Sequence, residues 1–180
     1  FGSTAGKGGA GIAELSLGAP WFQNVRDHID GARALALAAG KTYSVLAMPF
    51  IQGEQNVTAG SAYAAYRAAV AKLQDDVTAY AQGATGQTAP VYFLIYQTTW
   101  GIRVNKNVAL AQLDLCKKDP HFVMTSPCYH LEFAADFLHL KNIGYMKLSR
   151  YQGRVLKTMA LDKKRPKFVT MKAATVRGSK

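Results

Sequence analysis

Long hydrophobic runs are missing from this chain. No stretch of 18 or more apolar residues occurs in its 180 residues, so a membrane-spanning helix is not expected. Cysteine is scarce as well. Cys116 and Cys128 are the only two, and no C-x-x-C or Cys/His cluster surrounds them, so no metal site and no cofactor is expected. Spacing alone leaves them either as a disulfide in an oxidising compartment or as two thiols. Acid is rare in one region: the last forty residues hold twelve of the 22 Lys and Arg but only one of the 11 Asp and Glu, Asp162. The first 140 residues are left with ten of each sign. The whole net charge of +11 therefore belongs to the closing helix and the segment 160–180, a basic tail or linker. Such a tail either meets phosphate or acidic polysaccharide or is simply solvated. Nucleic-acid binding is the weaker reading, because the body of the chain is neutral and the tail lacks clustered aromatics.

The composition is that of a folded domain. About half the residues are apolar (49%), enough at this length for one sizeable core. The chain opens at Phe1, in what reads as the end of a strand, so a piece of a longer polypeptide is expected. A glycine-rich loop, "AGKGGAG", follows at 5–11. Helical periodicity covers 20–39, with Pro20 in the first turn and Gly40 as the cap. "YSVLAMPFI" at 43–51 reads as a buried parallel strand, then a polar loop covers 52–59. An Ala-rich helix spans 61–83, ending at Gly83. "PVYFLIYQT" at 90–98 and "HFVMTSP" at 121–127 read as further strands, with a helix at 105–118 between them. A loop at 128–139 leads to a closing helix at 142–159, and "KFVTMKAATV" after Pro166 reads as extended. Strands alternating with helices specify a parallel sheet covered on both faces. Reactive groups in such a sheet gather beyond the carboxyl ends of the strands, where the loops 5–11, 52–59 and 128–139 all fall.

Three constellations in those loops carry chemistry. Asp136 and His139, three apart in an expected first helical turn, place a carboxylate beside an imidazole. That arrangement fixes the tautomer and suits a general base acting on a hydroxyl nucleophile. The same D-x-x-H also serves as a capped helix start. Gln52, ending a strand and followed by Gly53 and Glu54, puts an amide at the cleft where it either holds an oxyanion or forms an ordinary turn. Gly8 and Gly9 expose backbone N–H groups, but the loop lacks the closing Gly-Lys-Ser/Thr of a phosphate-binding loop. Tyr129 and His130 either touch substrate or pack within their loop, as does Trp100. His28 and His121 are expected to be structural or surface residues.

Taken together, the glycine pair followed by "IAEL", then "FIQGEQN", then "SPCYHLEFAADFLHLKNIGYMKL" resemble the later blocks of the SGNH hydrolases. The similarity is to the sialate O-acetylesterase and acetylxylan esterase-like branch, over about residues 1–159. The resemblance implies a three-layer α/β/α, flavodoxin-like fold and a carbohydrate O-acetylesterase. It makes His139 the base and Asp136 its orienting partner. Gln52 and the backbone at Gly8 or Gly9 become oxyanion donors, and Glu54, with Asn56 and Tyr129, supports the loop or the substrate. Related domains in bacteriophage tails deacetylate surface polysaccharide, so an acetylated polysaccharide is the expected partner and an extracellular or virion setting the expected location.

One block of the family is absent. Its nucleophilic Ser lies in an early Gly-Asp-Ser or Gly-Gln-Ser at the end of the first, central strand. Here Ser3 is the one candidate in a fitting place, and it precedes the glycine pair too closely. The expectation is a sheet lacking its central strand, with strand and Ser supplied by an upstream segment or partner chain. The alternative is a non-catalytic carbohydrate-binding or structural module of a phage tail or cell-surface protein. The oligomeric state, a homo-oligomer included, stays open.

Overall fold

A computed structural model of the chain describes residues 2–98, 100 and 105–161. The elements run α1 (Ile12–Leu15), α2 (Phe22–Ala38), β1 (Ala47–Phe50), α3 (Glu54–Thr58), α4 (Tyr63–Thr85), β2 (Tyr92–Gln97), α5 (Asn107–Lys118), β3 (Phe122–Pro127) and α6 (Asn142–Leu161). The three strands form one parallel sheet in the order β1-β2-β3. This is a mixed α/β fold: the parallel sheet is the one expected from the alternation of strands and helices, and its layering is consistent with the flavodoxin-like plan that the resemblance implies.

Alternate side chains of β2 go to opposite layers, as a pleated strand requires. Phe93 and Ile95 join Phe50 and Phe122 in the larger core, against Tyr66, Val70, Leu73 and Val77 of α4 and Leu115 of α5. Leu94 and Val123 turn the other way, onto Met159, Val155 and Leu156 of α6. The interior of β2 is buried on both faces, which is why its sequence is a continuous apolar run rather than an alternating one.

Several boundaries differ from expectation. The helix expected to end at Gly83 runs on through Thr85 and is closed by Gly86, left-handed at φ 76°. The strand expected over 43–51 shrinks to Ala47–Phe50, and ahead of it the Gln87 side chain takes both backbone groups of Val45 (2.7 and 3.0 Å). Two short helices, α1 just after the glycine loop and α3 within the loop 52–59, are too brief for any periodicity to announce. The strand end expected at the start of the chain does not appear: residues 2–6 pair with no strand, and Phe1 lies outside the described residues. The basic tail and the extended segment after Pro166 also lie outside them. No disulfide joins Cys116 and Cys128, each of which is buried. No helix among the described residues is long and apolar enough to cross a membrane.

Candidate active site

The middle block is built around a backbone that only glycine accommodates. Gly53 sits at φ 147°, and a Cβ there would meet Gln112 Nε2 at 3.0 Å, Val108 at 3.1 Å and Thr98 at 3.2 Å. This tight turn sends Gln52 and Glu54 in different directions. Gln52 is buried, and its Oε1 accepts from the Tyr66 hydroxyl at 2.7 Å. Its Nε2 donates to Asn56 Oδ1 at 2.5 Å and more weakly to Ala10 O at 3.4 Å. Asn56 Oδ1 also accepts from the backbone N–H of Ile12 at 2.9 Å. The glycine loop is thus tied directly to the end of β1. From below, Gln112 Nε2 donates to Gln52 O at 2.8 Å while its Oε1 accepts from Thr98 N at 2.9 Å. Every member of this buried network has a partner, which makes it rigid. Burial pushes the Tyr66 phenol up, so it stays a hydrogen-bond donor.

Glu54 faces the cleft. The hydroxyls of Tyr96 and Thr98, at the carboxyl end of β2, both donate to Glu54 Oε1. Burial first, and then the Glu54 charge, hold the Tyr96 phenol well above its ordinary value. The same two causes, in the same order, raise the thiol of Cys128. Cys128 is therefore protonated and a poor nucleophile.

The third block is a turn of the loop before α6, not the first turn of a helix as expected. Asp136 Oδ1 accepts from the backbone N–H groups of Leu138 (2.9 Å) and His139 (3.0 Å). Asp136 Oδ2 lies 2.7 Å from His139 Nδ1. An isolated antiparallel bridge between Phe133 and Leu140 closes the loop around them. The hydrogen bond from His139, followed by the two backbone N–H groups, lowers the Asp136 carboxyl to about 2. The carboxylate is ionised at neutral pH and holds His139 Nδ1 as the protonated nitrogen, which leaves Nε2 as the basic one. Both side chains are exposed.

His139, Gln52, Glu54, Gly8 and Gly9 all line one cavity of about 1230 Å³. The expected site residues are therefore gathered, with differences of rank. Asp136 touches the cavity only through His139, and Asn56 stands behind Gln52. Tyr129 lies outside the cavity, stacked edge-on against His130 at 5.4 Å, with His130 in turn 5.8 Å from Tyr151. Gln52 presents its amide with both donors already directed at protein acceptors. An oxyanion would have to displace the 3.4 Å bond to Ala10 O. Ser3 also lines the cavity, yet no described hydroxyl is hydrogen-bonded to the His139 ring.

Against protein-family models, curated proteins and solved structures, the chain finds no match. The site stands on its own geometry. Among the described residues no group of three or more His, Cys, Asp or Glu is placed to hold an ion.

Tyr66, Tyr96, Thr98 and Gln112 hold the site together and were not singled out by the sequence. A signal existed for two of them. Thr98 is a hydroxyl at the very end of an apolar strand, and Gln112 is an amide on the apolar face of a helix, fully buried. Polar groups in such places need a buried partner.

Proposed function

We propose that this cleft hydrolyses esters by acyl transfer through a hydroxyl nucleophile, as an SGNH-type carbohydrate O-acetylesterase. The observation that carries the reading is the short Asp136–His139 contact on the rim of a cavity that also holds the glycine loop and Gln52. A carboxylate that fixes one imidazole nitrogen leaves the other free to take a hydroxyl proton.

On this reading the hydroxyl oxygen attacks the acetyl carbon while its proton passes to His139 Nε2. The carbonyl oxygen becomes an oxyanion, met by N–H groups of Gly8 or Gly9 and by the Gln52 amide once it leaves Ala10 O. As the ester C–O bond breaks, His139 returns the proton to the sugar oxygen. Water then attacks the acyl-enzyme with His139 again as base, releasing acetate and restoring the hydroxyl. Glu54, fixed by Tyr96 and Thr98, braces the loop that carries Gln52. Acetylated polysaccharide is the substrate class, met outside the cell or on a virion, and the hydroxyl comes from an upstream segment or partner chain.

A second reading has an observation in its favour. With no described hydroxyl on the His139 ring, the domain works as a non-catalytic carbohydrate-binding or structural module. Release of p-nitrophenol from p-nitrophenyl acetate separates the two. With the Ser-bearing upstream segment or partner chain present, the esterase reading expects turnover that falls by roughly 10³-fold or more in His139→Ala. Turnover that survives the substitution would refute it, and sugar binding without turnover in that completed protein favours the module.

A further inference from the structure

We infer that the cavity beside β1 is a docking slot for one additional parallel β-strand, supplied by polypeptide outside residues 2–161. The first ground is the backbone of β1. Leu46 O accepts from Tyr92 N at 3.1 Å, so the backbone groups of residue 46 face β2. Along a strand these groups alternate sides. Met48 and Phe50 therefore also face β2, while Ala47, Pro49 and Ile51 present theirs to the opposite edge. There the N–H groups of Ala47 and Ile51 and the carbonyls of Ala47 and Pro49 meet no described backbone partner. Val45, the preceding group on that edge, is already satisfied by Gln87. The open stretch thus begins where the side-chain substitute ends. Pro49 lacks an N–H, so a neighbour at that level forfeits one bond and keeps the rest.

The second ground is what surrounds this edge. The cavity runs along the whole of 42–52 and is walled from both layers of the fold. Val25 and Ile29 of α2, with Leu73 and Val77 of α4, close one face. Leu156 and Ala160 of α6 lie against the other. Residues 2–10 also line it, without a strand partner. The space therefore lies in the plane of the sheet, between the helical layers, and is not a surface cleft over one face. A strand needs about 4.8 Å of width, about 10 Å between layers and about 3.3 Å of length per residue. By those spacings a volume of about 1230 Å³ holds on the order of seven or eight residues. Apolar walls on both faces call for a nearly continuous run of Val, Ile or similar residues, since a strand buried on both sides has no polar face.

The carboxyl end of a parallel strand in this slot emerges among Gln52, the glycine loop and His139. The strand itself stands on the edge and the cavity alone. That its last residue brings the hydroxyl to His139 rests on the ester-hydrolase reading.

The test uses the full chain and synthetic peptides of sequence KKVTVIVVGS, the same peptide ending in Ala, and a version N-methylated at alternate strand positions. The expected result is 1:1 binding of the first two, with Tm raised by about 5–10 °C at a hundredfold excess over Kd. Amide exchange at Ala47 and Ile51 should slow by about tenfold or more, and the N-methylated peptide should not bind. Linking the same segment to the amino terminus through a flexible Gly/Ser linker guards against weak affinity. If neither peptide nor linked segment protects the Ala47 and Ile51 amides, the slot proposal is overturned. Protection of those amides by an acetylated oligosaccharide instead would overturn it too. Binding by both peptides, with p-nitrophenyl acetate turnover only for the Ser form, supports strand and chemistry together. Binding without turnover upholds the strand and refutes the hydrolase.

Discussion

The block Gln52–Asn56 and the turn Asp136–His139 face the same cavity, yet they are held in opposite ways. The first is buried and cross-linked to α4, α5 and the glycine loop by side chains distant in sequence. The second is exposed and held by bonds local to residues 132–141. One is rigid because the fold enforces it; the other rests on local backbone bonds and, at Leu138 and His139, on the charged Asp136 carboxylate. Disturbing the first should cost stability. Disturbing the second should cost chemistry and leave the fold intact.

The largest effect is expected at Gly53→Ala. A methyl group there both strains a backbone at φ 147° and meets three neighbours at 3.0–3.2 Å. Destabilisation of about 2–5 kcal/mol, read from the shift in urea midpoint, follows from strain and overpacking combined. A loss below about 0.5 kcal/mol would mean that the middle block is not held as described.

Acid should separate the two regions next. The folded Asp136 carboxyl is lowered to about 2, against an unfolded value near 3.9. Its contribution is present above the unfolded value and lost as pH falls from about 4 through 2. Amide exchange at Leu138 and His139 should accelerate over that window while the amides of Ile12 and Thr98 stay protected. Simultaneous loss at all four would contradict the independence of the turn.

The smallest effect concerns Phe137, the one non-glycine residue with positive φ among those described, at 54° and 77% exposed. Glycine removes the left-handed penalty and gives up little buried surface, but adds freedom to the unfolded chain. Phe137→Gly should therefore raise stability by only about 0.5–1 kcal/mol in chemical denaturation. A loss of stability would show that the ring is anchored in a way its exposure does not reveal.

Much of the fold was legible because strands buried on both faces and long amphipathic helices write themselves into the apolar pattern. "YFLIY" in β2 leaves no other reading. The failures have physical causes. Gly83 looked like a cap, yet a single glycine is tolerated in a helix whose apolar face continues to Ala81 and beyond. Gln87 imitates a neighbouring backbone beside Val45, just ahead of the shortened strand, which no local pattern announces. Asp136 and His139 were legible as a pair but not as a turn, since the spacing that joins them on a helix also joins them through an Asx turn. Apart from Asn56, the side-chain partners of Gln52 and of the Glu54 carboxylate come from 14 to 60 residues away, and only folding brings them near.

The most direct test of the site is covalent. A fluorophosphonate captures an activated hydroxyl by forming an O–P bond and releasing fluoride. Mixed with the chain and the Ser-ending strand peptide, it should add one phosphonyl mass to that peptide serine, and only while His139 and Asp136 are intact. Labelling of a residue within the chain itself, or a bound peptide whose serine stays unlabelled, would contradict the claim that Asp136, His139 and the glycine loop converge on a hydroxyl brought in from outside.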